Sequence, residues 1–313
     1  MQNTQSAVKF KKRVRLNRSH LEIYLLFLPV LVWYIVFCYV PMGGVVIAFK
    51  DYKILRGIAA SKWVGFKNFE YLFSLPSFKQ AVSNTIIMGV QRICFAFPLP
   101  IIFALLLNEV RNIRFKKSIQ TISYLPHFIS WSVGGGLVYM LLSPNTGALN
   151  NLIRLFGGES KNYLALSSYF HRIVLVSHIW KHLGWSSIVF LAAITGVDEE
   201  LYEAAYIDGA NRLKRIWHIT LPGIRNTIAV MLILEVGNIL GISFNQIFSL
   251  INDAVLDKGE TLDYFVYRMG LANANNFSVA TAVGLIKSLV GFIMIILTNI
   301  ASKKLTDGEG GIW

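Results

Sequence analysis

The sequence predicts an all-helical membrane protein with six transmembrane helices. Hydrophobic residues make up 54% of the 313 residues and charged residues only 15%, whereas a soluble domain carries about 25% charged residues. The apolar residues are also collected into long runs, and six of these runs are long enough to cross a bilayer as helices. The mean hydropathy of +0.52 agrees with this fold class.

The first predicted element is a transmembrane helix that follows a basic, polar N-terminal segment, residues 1–20. The apolar run Ile23–Phe49 contains no charged residue. It is too long for the core of a signal peptide and long enough for a membrane span. We therefore predict an uncleaved first span, with the basic N-terminal segment in the cytosol.

Five further spans are predicted along the chain. They are Val82–Leu107, Ile119–Leu142, Ile173–Val197, Thr227–Leu250 and Val279–Ala301. Arg92, Pro98 and Pro100 predict a break in the second span, because proline removes a helical hydrogen bond. An even number of spans returns the C-terminus to the cytosolic side. The transmembrane domain then covers residues 21–302, followed by a tail at 303–313.

The positive charge is distributed as expected for a membrane protein rather than for a nucleic-acid-binding protein. The net charge is +13, and the basic residues flank the apolar runs. The segments assigned to the inside carry sixteen Lys and Arg, and those assigned to the outside carry eleven. This bias agrees with the positive-inside rule, although the basic loop 50–80 weakens it locally. The distribution argues against nucleic acid as a partner.

A polar segment, residues 198–226, separates the fourth and fifth predicted spans. Its first turn is acidic, which suits the positive end of a helix dipole. Gly209 can end that helix, and Pro222 can stop the cation-rich segment that follows. The pattern predicts two short helices joined at a glycine corner, and two small alanines on the first helix allow another protein to approach closely.

This segment resembles the signature loop of bacterial ABC-importer permeases. The matching residues are Glu203, Ala204, Ala205, Gly209, Ile219, Leu221 and Pro222, all at the spacing of that loop. The resemblance implies a type I importer permease whose loop is a cytosolic coupling helix that docks on an ATPase. It further implies that Glu203 pairs with a cation of the ATPase. Gly209 and the neighbouring Asp208 would form the corner, and Pro222 would fix the direction in which the chain leaves the loop.

Other stretches are similar to the branch of this family that transports complex oligosaccharides. The segment Trp63–Phe69 resembles the "GxxNF" stretch before span two, and it also predicts an aromatic segment packed against span ends. Tyr39–Tyr52, Tyr124–Phe128 and Gly147–Asn150 resemble the same branch. In the segment 143–170, Leu149, Leu152, Ile153 and Phe156 fall at helical spacing and predict a short extracellular helix.

The resemblance also implies the partners and the location of the protein. Such permeases work in a bacterial cell membrane with a second permease subunit, two ABC ATPase subunits and an extracellular solute-binding protein, and both termini are cytoplasmic. The chain contains no GxxxxGK[ST] motif, so ATP and magnesium are expected on the ATPase subunits and no cofactor on this chain. Alternatives are an ABC permease for a non-sugar solute and an ion-coupled secondary transporter. The latter would need inverted repeats and mid-membrane carboxylates, of which only Glu235 is available.

Four ionisable residues lie within the predicted spans, where charge is costly. Arg92, Lys181, Glu235 and Lys287 either line a polar path or pair between helices, for example Glu235 with Lys287 or Arg92. The cations outnumber the carboxylate, which suggests the hypothesis of an acidic oligosaccharide substrate.

Polar and aromatic residues on three of the spans form a candidate substrate path. The candidates are Arg92, His178, Lys181, His182, Trp185, Asn238, Asn245 and Gln246. The alternative for the amides is hydrogen bonding between helices, which is the commoner role of amides in bundles. His178 and His182 lack an evident third ligand, so packing or hydrogen bonding is favoured over a metal site.

Overall fold

The computed structural model describes residues 18–272 and 276–305, and most of the predicted N-terminal segment and tail lies outside these ranges. The structure is almost entirely helical. In chain order, the helices are α1 Arg18–Tyr34, α2 Val40–Met42, α3 Gly57–Ala60, α4 Lys67–Ser74, α5 Pro76–Gln91, α6 Pro98–Asn108, α7 Ile113–Tyr124, α8 Trp131–Leu142, α9 Ala148–Leu155, α10 Ser167–Thr195, α11 Glu199–Ile207, α12 Arg212–Arg215, α13 Leu221–Gly223, α14 Arg225–Gly237, α15 Phe244–Leu250, α16 Leu256–Gly259, α17 Leu262–Tyr267 and α18 Phe277–Leu305. Two short antiparallel strands, β1 Lys50–Asp51 and β2 Lys62–Trp63, pair between spans one and two.

The described chain has four continuous membrane-crossing helices, or six crossings if each bent helix pair is counted as one, and the second bent pair overlaps the predicted fifth span at residues 227–237. Four continuous helical segments are long and apolar enough to span a membrane: Leu21–Phe49, Pro76–Asn108, Ser167–Thr195 and Phe277–Lys303. Two bent pairs pass the same criterion, Ile113–Phe128 with Trp131–Leu142 and Arg212–Gly223 with Arg225–Gly237. The described chain is therefore an all-helical membrane bundle, as predicted.

The predicted break in the second span is wrong. The helical path continues from Pro76 to Asn108, and Arg92 begins a π-helical turn within it. Pro98 occupies the first turn of α6 directly after that π turn. A π turn relieves the clash that the proline ring would make with the preceding turn, so the span continues.

Two other prolines follow π turns at the same spacing. The π turns are Ile35–Tyr39 before Pro41, Arg92–Ala96 before Pro98 and Ile216–Thr220 before Pro222. In each case the proline is the second residue after the turn. After Pro98 the helix continues to Asn108. After Pro222 it ends at Gly223 and the next helix is inclined by 63°, so the predicted stop at Pro222 is confirmed.

The third and fifth spans are interrupted, which the sequence did not predict. In the third, the helical segments on either side of residues 129–130 meet at 105°. In the fifth, α14 ends at Gly237 and α15 begins only at Phe244, so residues 238–243 interrupt the span. Apolar composition alone predicts a straight crossing, because the side chains that stabilise an interruption come from other helices.

The loops at the end opposite residues 198–226 are joined by side chain to backbone hydrogen bonds. Ser278 donates to the carbonyl of Lys50 at 2.6 Å, and Asn252 donates to that of Leu164 at 3.0 Å. Asn150, which is fully buried, donates to three carbonyls around α9, the short helix predicted in this segment. These amide and hydroxyl groups satisfy backbone acceptors where the helices end.

The aromatic segment after span one packs against the end of that span, as predicted. The ring of Phe49 stacks on Trp63 with centroids 5.7 Å apart and also contacts Phe66 and Phe69. Asn68 donates to the carbonyls of Ala48 and Lys50 at 2.8 and 3.0 Å. The "GxxNF" asparagine therefore joins α4 to the end of the first span.

A close helix contact at Gly184 positions span four against α7. A β-carbon at Gly184 would lie 2.2 Å from the carbonyl oxygen of Ser123. No side chain can occupy this position unless the two backbones move apart. Glycine is therefore required at this position by the approach of the second helix.

We predict that Gly184→Ala destabilises the protein by about 1–3 kcal/mol, because the added methyl group overpacks a backbone contact. The measurement is the thermal unfolding midpoint of the purified protein in detergent. Gly136→Ala is the matched control, since a β-carbon there meets nothing within 4 Å. Equal midpoints for the two variants would contradict the contact.

Candidate functional site

The segment between spans four and five forms the predicted pair of helices with a glycine corner. Asp198 caps α11 by accepting a hydrogen bond from the backbone N–H of Glu200 at 3.0 Å. Gly209 follows the helix with a φ of +75°, and Ala210 N–H bonds back to the carbonyl of Ala205 at 2.9 Å. This is the left-handed helix ending that glycine adopts without steric cost. We call residues 198–224 the elbow.

A hydrogen bond that sequence reasoning missed joins the two arms of the elbow. Asn211 caps the second arm by accepting from the N–H of Lys214 at 2.9 Å. Tyr202 on α11 contacts the hydroxyl of Thr220 at 3.0 Å, and Thr220 is 2% exposed. No local pattern marks this pair, because eighteen residues separate its members.

The elbow is packed against the ends of spans two and four. Ile224 is 1% exposed and belongs to a core cluster with Ile101 and Phe190. Leu221 packs against the same cluster, and Arg212 lies 3.8 Å from the carboxylate of Glu109 at the end of span two. The elbow is therefore in direct contact with both of these spans.

The residues of the signature loop divide between an exposed and an inner face. Glu203, Ala204, Asp208 and Pro222 are exposed, whereas Ala205, Ile219 and Leu221 are half-buried. Large apolar side chains extend the exposed face: Tyr206 is 73% exposed, Ile207 84%, Leu213 67% and Trp217 67%. An apolar patch of this kind, rimmed by charges, is typical of a surface that another protein covers.

Within the bundle, Arg92 holds the break in span five. Its guanidinium donates to the carbonyls of Asn238 at 2.7 Å and Gly241 at 2.9 Å. It also forms an ion pair with Glu235 on α14. The predicted pairing of Glu235 is therefore confirmed for Arg92 and wrong for Lys287.

Lys181 holds the break in span three in a similar way. The residue is 6% exposed, and its ammonium donates to the carbonyls of Pro126 at 3.2 Å, His127 at 2.8 Å and Ile129. Its Nζ also lies 5.5 Å from the ring centroid of Trp131. The charge is thus used to satisfy freed carbonyl groups within the chain, and a role in the substrate path stays a prediction.

The two histidines and Trp185 belong to one ring cluster between α10 and the break in span three. His127 stacks on Trp185 with centroids 4.4 Å apart and planes 4° apart. His182 lies 4.6 Å from His178 and 5.4 Å from His127, centroid to centroid. No group of three metal-ligating side chains occurs in the part of the chain that the structure describes.

The three amide candidates have different environments. Gln246 is 1% exposed and donates to the carbonyl of Val174 at 2.8 Å and the hydroxyl of Ser177 at 3.0 Å. It therefore joins α15 to span four, which is the alternative role that the sequence left open. Asn238 and Asn245 are exposed and remain available to a solute.

A cavity of about 80 Å³ lies between spans two, four and five. Arg92, His178, His182, Ser186 and Glu235 line it together with apolar residues. The structure thus brings five polar side chains from distant parts of the sequence to one place. Ligand pockets are typically about 300–1,000 Å³, so the cavity in this conformation is too small for a saccharide.

The expected excess of cations within the spans is smaller than the sequence indicated. Lys287 pairs with both carboxylate oxygens of Asp263 at 2.6 and 2.7 Å. Asp263 belongs to α17, outside the predicted spans, so counting charges along the sequence omitted it. Arg92 is paired with Glu235, whereas Lys181 donates to backbone carbonyls, so three cations face two carboxylates instead of one.

A second carboxylate joins the helices between spans five and six. Glu260 is 3% exposed and accepts two hydrogen bonds from Arg268, at 2.7 and 3.0 Å. Burial raises the pKa of the Glu260 carboxyl, and the guanidinium of Arg268 opposes that rise. The bidentate pair fixes α16 relative to the end of α17.

The family match places this helical bundle in the class of membrane transport components. The chain belongs to the family of binding-protein-dependent transport system inner membrane components, whose model matches residues 96–307. The prediction of a type I ABC importer permease is thereby confirmed.

Curated relatives and solved structures match almost the whole chain. It is 45% identical over 98% of its length to the polygalacturonan/rhamnogalacturonan transport system permease protein YteP of Bacillus subtilis, of which 96% is covered. It is 44% identical over 92% of its length to protein LplB of the same organism, of which 90% is covered. A chain of a bacterial alginate ABC transporter, solved with an alginate pentasaccharide-bound periplasmic protein, superposes with a TM-score of 0.86 at 36% identity over 94% of this chain and 97% of that one.

We predict that Glu235→Gln destabilises the protein, because it leaves the guanidinium of Arg92 buried without its carboxylate. Breaking a buried pair costs about 3–5 kcal/mol, and we expect the lower end because the side chain of Glu235 is 30% exposed. The thermal unfolding midpoint measures the effect. Asp51→Asn is the control, since it breaks an exposed pair with Lys53 and should cost below about 1 kcal/mol. A Glu235→Gln midpoint equal to that of the control would show that the ion pair is not needed.

Proposed function

We propose that this chain is the permease subunit of an ATP-driven importer that moves acidic oligosaccharides into the cytoplasm. The observation that carries the substrate class is the nature of its relatives. Polygalacturonan, rhamnogalacturonan and alginate all contain uronate residues, and proteins named for them share 45% and 36% identity with this chain. A related structure is described as importing the acidic polysaccharide alginate, and it is 37% identical.

The energy source in this proposal is a pair of separate ATPase subunits that hold ATP and magnesium. The sequence has no GxxxxGK[ST] motif with which to bind the phosphates itself. The exposed face of the elbow supplies the docking surface, with Glu203 directed at a cation of the ATPase and Ala204 permitting close approach. The apolar side chains around Tyr206 and Trp217 are those that an ATPase cleft would cover.

The remaining partners are a second permease subunit and an extracellular solute-binding protein. The alginate transporter was solved in complex with a periplasmic protein that carries the oligosaccharide. In the proposed arrangement both termini and the elbow face the cytoplasm. The loops at the other end of the bundle then face the solute-binding protein, which follows from the alternation of the spans.

The proposed transport step is a change of access driven by the elbow. Closure of the ATPase dimer moves the elbow, and its packing against Ile101 and Phe190 carries that motion to spans two and four. Span four carries His178, His182 and Trp185. Movement of this span relative to span five would open or close the cavity between them, which contains the proposed path residues.

The substrate class is tested by uptake into proteoliposomes that contain the assembled importer and its solute-binding protein. We expect ATP-dependent uptake of labelled oligogalacturonate, with little competition from a neutral oligosaccharide of equal length. Complete competition by the neutral sugar would overturn the acidic specificity, and uptake of neither sugar would overturn the sugar class.

Gly209→Val is predicted to fold normally and to lose transport. A β-carbon at this position meets no neighbour within 4 Å, so the only strain comes from the φ of +75°. A β-branched residue avoids this conformation, and the corner angle should change. ATP-dependent uptake and ATPase activity are measured in the assembled importer, and we expect uptake to fall at least about tenfold.

Gly209→Asn is the matched control, because asparagine tolerates a left-handed conformation better than valine does. We expect it to retain most of the uptake of the wild type. Wild-type uptake by Gly209→Val would show that the corner conformation is not required for coupling.

A further inference from the structure

Four aromatic side chains form a continuous cluster on α15 and α17 at the end of the bundle opposite the elbow. They are Phe244, Phe248, Tyr264 and Tyr267. The ring centroids of Phe244 and Tyr267 are 5.3 Å apart, those of Phe248 and Tyr267 5.5 Å, and those of Tyr264 and Tyr267 6.0 Å. We call these residues the aromatic cluster. The ring of Phe248 is its most open member, since the residue is 51% exposed.

The other faces of α15 are occupied by contacts within the chain. Gln246 is hydrogen-bonded to span four. A β-carbon at Gly135 on α8 would lie 2.7 Å from the Cβ of Ser249, so the two helices touch there. Ile247 and Leu250 are fully buried. On the remaining face, Phe244 and Phe248 pack against the tyrosines of α17, and Asn245 and Phe248 are exposed.

The position of α17 is similarly determined by anchors on its other faces. Asp263 is paired with Lys287 on span six. Phe265 is fully buried in the core cluster that contains Phe78 and Val279. The backbone N–H of Leu262 donates to the hydroxyl of Thr85 on span two at 2.9 Å. These contacts direct the two tyrosines toward α15, so the rings are held in place before any ligand arrives.

The cluster has the mixed character of a saccharide-binding surface. A pyranose ring presents C–H groups on its faces and hydroxyl groups on its rim. The hydroxyl groups of Tyr264 and Tyr267 make no hydrogen bond to other described residues, and the amide of Asn245 is exposed beside the rings. Flat rings bordered by polar groups match the C–H faces and the hydroxyl rim of a sugar. An acyl chain has no groups that could hydrogen-bond to the polar rim.

The aromatic cluster is also adjacent to the polar interior of the bundle. Ser243 and Gln246 line a small cavity with Arg92 and His178. Phe244 and Phe248 lie close to Ser243 and Gln246 in the chain. The short helix that carries Phe244 and Phe248 therefore contributes to both the lining of this cavity and the aromatic cluster.

We propose that the aromatic cluster is a stacking site for a sugar ring of the oligosaccharide as it enters the permease from the solute-binding protein. This inference depends on the proposed function, because it assumes a saccharide cargo. Phe248 supplies the open ring, Phe244 and Tyr267 support it with centroids 5.4 and 5.5 Å away, and the two tyrosine hydroxyls and Asn245 bond to sugar hydroxyls.

The test uses the assembled importer in proteoliposomes, with labelled trigalacturonate bound to the solute-binding protein. The measured quantity is the number of oligosaccharides imported per ATP hydrolysed. We expect Phe248→Leu to lower this ratio about three- to tenfold, because leucine retains apolar volume but has no flat face. Phe248→Trp should retain most of the wild-type ratio, and Tyr267→Phe, which removes only a hydroxyl, should lower it less than Phe248→Leu does.

Phe292→Leu is the matched control, since Phe292 is an exposed phenylalanine (62%) on span six, outside the cluster. Its ratio should equal that of the wild type. The thermal unfolding midpoint of each variant is recorded, and a merely structural role would lower the midpoint of Phe248→Leu while leaving its import ratio unchanged.

The outcomes separate this inference from the proposed function. An unchanged ratio in Phe248→Leu, with active wild-type uptake, would overturn the stacking site and leave the importer function intact. If the wild type imports a neutral oligosaccharide instead, the same variants are compared with that sugar, because its pyranose faces stack in the same way. Import of no saccharide by the wild type would overturn both proposals.

Discussion

Broken helices inside a membrane leave backbone carbonyl groups that neither water nor lipid can satisfy. The described chain meets this constraint with two cations from neighbouring spans. Lys181 donates to three carbonyls at the break in span three, and Arg92 donates to two at the break in span five. Without these donors the carbonyl groups at both interruptions would lose hydrogen bonds. The irregular backbone around the cavity therefore depends on Arg92 and Lys181, two charged residues for which the sequence suggests a role in substrate binding.

Span four contacts both the cavity and the elbow. Span four carries Lys181 in its middle and contributes Phe190 to the cluster that holds the elbow. It is also in close backbone contact with α7 at Gly184. The elbow and the ring cluster of His182 and Trp185 are therefore joined through contacts of a single helix.

Much of the fold and of the elbow was predictable from local sequence, because the signals involved are local. Long apolar runs predict spans, and an acidic first turn followed by a glycine predicts a helix that ends in the left-handed conformation. Gly209 is found in that conformation. The path residues were less predictable. His178, His182 and Arg92 do meet at one cavity, but Gln246 is used between helices, and the aromatic cluster was not anticipated at all.

The sequence by itself determined the class of protein, the positions of the spans and the shape of the elbow, since these depend on hydrophobicity and on residues close together in the chain. Only the tertiary structure decided which charges neutralise one another. Arg92 is paired with Glu235 and Lys287 with Asp263. From the sequence alone, either Arg92 or Lys287 was a possible partner of Glu235. The physical reason is that a buried charge is stabilised by whatever group lies within a few ångströms of it. That distance is fixed by the packing of helices that are far apart in the chain.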